Sequence, residues 1–98
     1  MTAHGFYDKI NWEVLKMRSR KLETGNKNIV GQRIVQLRNK KGIRQKDLLV
    51  QLQIRGVDIS YSVLSKIEGQ TRAVYDYELL AFADIFGVTV DALLGRKD

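Results

Sequence analysis

The sequence predicts an all-α protein: a compact five-helix domain over residues 29–95, preceded by a helical N-terminal extension and linker over residues 1–28 and followed by a tail, 96–98. Three observations predict it. Apolar residues recur at intervals of three and four, no stretch alternates with period two, and capping or stopping residues fall between the apolar stripes. With 98 residues and 44% apolar content, the chain holds material for one core.

In the extension, Phe6, Ile10, Val14 and Met17 recur at helical spacing, with Asp8 placed to cap and Gly25 to stop a helix over residues 8–22. Residues 23–28, ETGNKN, read as a linker. Asn28 is placed as the N-cap of the first domain helix, residues 29–41, whose inner stripe is Val30, Ile34 and Leu37, with Arg38 beside it. Gly42 stops it, and Lys40 and Lys41 in its last turn are placed to complement the helix dipole or to reach a phosphate, either of which would select lysine. The second helix, residues 45–54, turns Leu48, Leu49 and Leu52 inward and ends near Gly56. A long turn over residues 56–59 leads to Ser60, the expected cap of a third helix that runs to Gly69 with Leu64 and Ile67 inside.

Helices this short do not persist alone, so the second and third must lean on each other. The outer side of the third carries Tyr61, Ser62, Ser65 and Lys66, small or hydrogen-bonding residues and no acid. Residues 70–75 form a polar loop with Thr71 and Arg72. A fourth helix begins at Tyr75 or Asp76, with Leu79, Leu80, Ala83 and Phe86 expected inward and Gly87 closing it. Thr89 caps a last helix, residues 90–94, whose Leu93 and Leu94 are expected to seal the core before Gly95 ends it.

Composition excludes several classes. There is no cysteine, hence neither a disulfide framework nor a thiolate metal site, which suits a reducing compartment. No run approaches the roughly 18–20 apolar residues of a membrane span, and residues 1–22 lack the apolar stretch of a signal peptide; a cytoplasmic protein is expected. His4 is the one histidine, no nucleophile and base converge with it, and neither a P-loop nor a dinucleotide fingerprint occurs. No catalytic residue, metal or cofactor is therefore expected.

The net charge of +6 is uneven. Residues 29–75 hold nine bases against three acids, residues 76–98 two against five, and residues 1–28 a surplus of three bases. One end of the domain should face a polyanion, and the last two helices water or another chain. Tyr75 and Tyr77, beside Val74 and Val90, are either surface aromatics or a dimer patch.

The segments LRNKKGIRQKDL, SKIEG and FGVTVDALL, in this order and spacing, resemble a lambda-repressor-type helix-turn-helix domain of the Cro/repressor or XRE family. The resemblance covers residues 28–95. It implies a sequence-specific, double-stranded DNA-binding transcriptional regulator, a repressor that binds an inverted repeat as a homodimer with half-sites about one helical turn apart.

Position by position, it implies that Tyr61, Ser62, Ser65 and Lys66 face bases or the adjacent backbone, that Gln45, Thr71 and Arg72 hold phosphates, and that Ser60 caps the recognition helix; Arg44, Lys46 and Ser60 are read beside them as further phosphate contacts. Gln45 would also brace the recognition helix. Arg38 and Glu68 match a partly buried structural ion pair. Tyr61 has an alternative, to pack on Ile59 over the long turn. The chain departs from the family pattern at Leu49, where a small alanine is usual, in the longer turn QIRGVDIS, and at Gly69–Gln70, where arginine or asparagine followed by glycine is common. Arg44 stands where a capping threonine or serine is frequent.

The extension admits three roles: a helix packed on the domain or on a second subunit, a basic arm on DNA phosphates through Lys16, Arg18, Arg20 and Lys21, or a membrane-surface helix, which ordinarily has a stronger basic face. The rival to a regulator is a protein-interaction module, such as the antitoxin of a toxin–antitoxin pair that also binds DNA.

Overall fold

The computed structural model describes residues 27–96. The helix expected over residues 8–22 and the last two residues of the tail lie outside them. Among the described residues there are five helices and no strand: α1 Gly31–Lys40, α2 Gln45–Ile54, α3 Tyr61–Glu68, α4 Asp76–Phe86 and α5 Val90–Leu93. No helix among them is long and apolar enough to cross a membrane. α1 packs on α3 and α4, α2 packs on the same two, and α5 closes against α4.

Each helix buries the stripe its periodicity defines. Ile34 in α1, Leu48 and Leu52 in α2, Leu64 and Ile67 in α3 and Leu93 in α5 are fully buried around Phe82 and Phe86, whose rings stack 6.5 Å apart. Each such side chain contributes about 1.5–3 kcal/mol by leaving water. Leu37 and Leu49 pack against this core while half-buried. The long turn is pinned as well: Val57 is buried and its N–H donates to the Leu52 carbonyl at 2.9 Å.

Two expectations in the last helices are corrected. Leu80 is 65% exposed, and the face of α4 turned inward carries Ala81 and Phe82 with Ala83 and Phe86. Apolar residues run almost all round α4, so spacing alone did not select the face; contact with α1 and α2 did. Leu94 lies beyond the end of α5 and is 36% exposed, leaving Leu93 to close the core. The end of α5 is instead held by Arg33, whose Nη1 donates to the carbonyls of Ala92 and Leu93 at 3.1 and 3.3 Å.

α1 begins at Gly31 rather than at residue 29, with Val30 at its N-cap position, and Asn28 reaches the helix start from two residues earlier, its Oδ1 accepting from the N–H groups of both Val30 (3.0 Å) and Gly31 (2.8 Å). The other end of the same buried amide donates to the carbonyls of Ile67 (3.0 Å) and Arg72 (2.8 Å). One side chain thus caps α1 and ties it to the end of α3. Asn28→Ala is expected to lower stability by about 2 kcal/mol, read by urea unfolding, since it removes a cap and strands buried carbonyls together. Asn28→Asp should recover only the capping part, because a carboxylate has no N–H to donate.

Candidate nucleic-acid interface

α3 is held from its start, its back and its end. At the start, Ser60 caps it, its Oγ accepting from the Val63 N–H at 3.1 Å. Burial of Leu64 and Ile67 then orients the helix and leaves Tyr61, Ser62, Ser65 and Lys66 exposed together. Tyr61 keeps 60% of its surface in solvent, while Ile59 packs against the core.

The helix has one acid, and it is turned away from that surface. Glu68 accepts from Arg38 through both oxygens, Nε at 2.9 Å and Nη2 at 3.3 Å, with side-chain exposures of 16% for the arginine and 8% for the glutamate. Arg38 also donates to the Ile43 carbonyl at 3.2 Å, which fixes its fork in the turn between α1 and α2. Gln45, at the first position of α2, donates to Glu68 Oε1 at 2.8 Å and sits 3.5 Å from Ser65 Oγ. Gln45 therefore links the start of α2 to the back of α3, and the negative charge of Glu68 is neutralised inside the fold.

Arg44 and Lys46, both exposed, flank Gln45, the residue of α2 that approaches Ser65. Arg44 precedes α2 in extended conformation and makes no side-chain cap. Its side chain is 73% exposed, and its 3.4 Å pairing with Asp47 lies in solvent, where such pairs contribute little and exchange readily.

On the far flank, Thr71 donates both its N–H and its hydroxyl to the Lys66 carbonyl, at 2.9 and 3.3 Å, and so finishes the helix. Gln70 takes a left-handed φ of +63° at the position where glycine is common in the family that the chain resembles. The strain of order 1 kcal/mol is offset by its side chain, which donates to the Asn28 carbonyl at 3.1 Å.

Arg72, expected on phosphate, is engaged inward. Its Nη1 donates to Glu78 Oε1 at 2.7 Å and to the Ala73 carbonyl at 2.9 Å, and its guanidinium lies 5.1 Å from the centre of the Tyr75 ring. The hydrogen bond with Glu78 raises the arginine pKa above its ordinary value. Glu78 was not among the residues singled out from the sequence. It is 1% exposed, and its Oε1 also accepts from the Tyr75 N–H at 2.8 Å, which starts α4. Its position three residues after the cap was the signal, since glutamate there commonly reaches back to the cap N–H.

Comparisons of the chain with protein-family models, curated proteins and solved structures return no match. The chemistry of the surface therefore rests on the geometry of α3 and its flanks.

A second surface lies on α4. Tyr75 and Tyr77 stack 5.8 Å apart, each 56% exposed. Tyr77, Leu80 and Ala81 line an open groove of about 410 Å³ with Arg55, Val57 and Asp84, whose charges pair at 2.6 Å. Val74 and Val90, read with the tyrosines as a patch, pack against the core instead, so the exposed apolar surface is centred on Tyr77 and Leu80.

Among the described residues, no three His, Cys, Asp or Glu side chains are grouped so as to hold a metal ion.

Proposed function

We propose that this is a lambda-repressor-type helix-turn-helix domain and that the protein is a cytoplasmic, sequence-specific regulator of transcription, a repressor that binds an inverted repeat in double-stranded DNA as a homodimer. The observation that carries the reading is the α3 surface. It is a capped helix with four exposed polar residues, its one acid neutralised from behind by Arg38 and Gln45, and basic residues at the start of the adjoining helix.

A helix entering the major groove needs a slim, non-acidic outer face, and Ser62 and Ser65 allow close approach while Tyr61 and Lys66 reach base edges. Arg44, Gln45, Lys46 and the loop at Thr71 fix position on phosphates. Arg72 serves the interface by bracing that loop through Glu78. The apolar groove at Tyr77 and Leu80 supplies a surface for self-association. The same surface favours the second reading, an antitoxin-like module whose principal partner is another protein.

Selection of bound duplexes from a random library, followed by titration of the best duplex and a scrambled one at two salt concentrations, tests this reading. A selected inverted repeat is expected to bind about a thousandfold tighter than the scramble. Lys66→Ala is expected to weaken the selected duplex by roughly tenfold, within the range for one good base contact. Equal affinity for both duplexes would reject sequence reading and turn the search to a protein partner.

A further inference from the structure

A smaller groove lies where the chain comes into the domain. Lys27 donates its N–H to the Gln70 carbonyl, and Ile29, Val30, Ala73, Val74, Leu79 and Leu94 surround a depression of about 170 Å³ beside it. Its walls are the start of α1, the loop between α3 and α4, and the chain just after α5. Ile29 is 56% exposed and Leu94 36%, so apolar surface at the groove is left in solvent. The volume falls below the roughly 300–1,000 Å³ of small-molecule sites and suits the side chains of a packed segment.

We propose that this groove receives the protein's own leading segment, through the apolar stripe Phe6, Ile10, Val14 and Met17. The tether favours this occupant. Lys27 is part of the groove wall, so the segment is held next to it at an effective concentration of order millimolar without any other partner. Reach is sufficient, because the ten residues from Met17 to Lys27 span at most about 35 Å when extended. Docking would bear on the same Asn28–Gln70 junction that holds the end of α3, and it requires no DNA.

The chain has no cysteine, so introduced pairs report proximity cleanly. In the full chain, Ala73→Cys at the exposed rim of the groove is combined with Val14→Cys on the stripe or with Ser19→Cys on the opposite side of the same helical wheel. Intramolecular disulfide formation is followed at low micromolar concentration by non-reducing gel mobility. Position 19 is nearer the tether, so undirected collision favours it. Docking through the stripe instead makes the position 14 pair close about tenfold faster.

Leu94→Asp and, separately, Ile29→Asp, both at solvent-exposed positions, are expected to abolish that excess with the helical circular dichroism unchanged. Equal rates at positions 14 and 19, or an excess that survives both aspartates, would overturn the proposal. Disulfide-linked dimers in place of closed monomers would overturn it too, by giving the groove to a second copy of the chain.

Discussion

Glu68→Ala is expected to lower the unfolding free energy by about 3 kcal/mol, because it leaves a guanidinium in the interior without its counter-charge. Arg38 keeps only 16% of its side chain in solvent, and its other bond, to the Ile43 carbonyl, prevents it from swinging freely into water. Gln45 loses its short acceptor in the same step. Some water access to Arg38 keeps the loss at the lower end of the range for broken buried pairs.

The pair itself is not a source of net stability on that scale. Replacing both partners together, Arg38→Met with Glu68→Leu, is expected to restore most of the loss, as similar-volume apolar replacements of buried pairs often do. Urea unfolding of the two single variants and the double variant checks this. A loss below about 1 kcal/mol for Glu68→Ala would show that the pair behaves as an exposed one. Under the proposed function, the double variant is also expected to read its duplex less selectively, since α3 would no longer be joined to Gln45.

Gly31→Ala is expected to destabilise the domain by about 3 kcal/mol, against the sign of helix propensity, which alone favours alanine by about 1 kcal/mol. A Cβ at position 31 would stand 2.4 Å from the Ile67 carbonyl oxygen, 2.8 Å from that of Glu68 and 2.8 Å from Gln70 Cγ. Two of these are backbone atoms in the last turn of α3, which no side-chain rotation can move. Relief requires α1 to back away from α3, and that pulls on the Asn28 bonds to Ile67 and Arg72.

Gly69→Ala is the control. There a Cβ would meet the Ser65 carbonyl oxygen at 3.3 Å, a contact that a shift of a few tenths of an ångström relieves, and a change within about 1 kcal/mol is expected. Thermal or urea unfolding of both variants decides the matter. Stabilisation by Gly31→Ala would mean that α1 and α3 are not in such close contact.

The parts of this molecule that were legible in the sequence share one property, locality. Ser60, Thr89 and Gly87 act within a few residues of themselves: two hydroxyls accept from the N–H three positions on, and the glycine takes the left-handed conformation that closes α4. The stripes Leu48/Leu52 and Leu64/Ile67 follow from the helical repeat alone. Because Tyr61, Ser62, Ser65 and Lys66 lie on the opposite side of such a stripe, their exposure was legible too. The pairing of Arg38 with Glu68 was an expectation only through resemblance, since nothing local joins residues so far apart.

Where local signals are ambiguous, packing between distant segments decides. α4, DYELLAFADIF, presents apolar residues on nearly every side, and the choice between Leu80 and Phe82 for the core needed α1 and α2 to be in place. Arg72 was expected on phosphate through resemblance, and its bond to the buried Glu78 depends on how the loop packs on α4. Asn28 was visible as a cap but not as the tie to α3, and Gly31 carried no signal of close contact.

By itself, then, the sequence determined the helical class, the positions of most helix ends and the side of α3 left to solvent, because hydrogen bonds over three or four residues and a 3.6-residue repeat are written in adjacent positions. Only the tertiary structure decided how α3 is held. Glu68, Asn28 and Gln70 find their partners 30 to 44 residues away, where one packed arrangement sets both the distance and the direction of each bond.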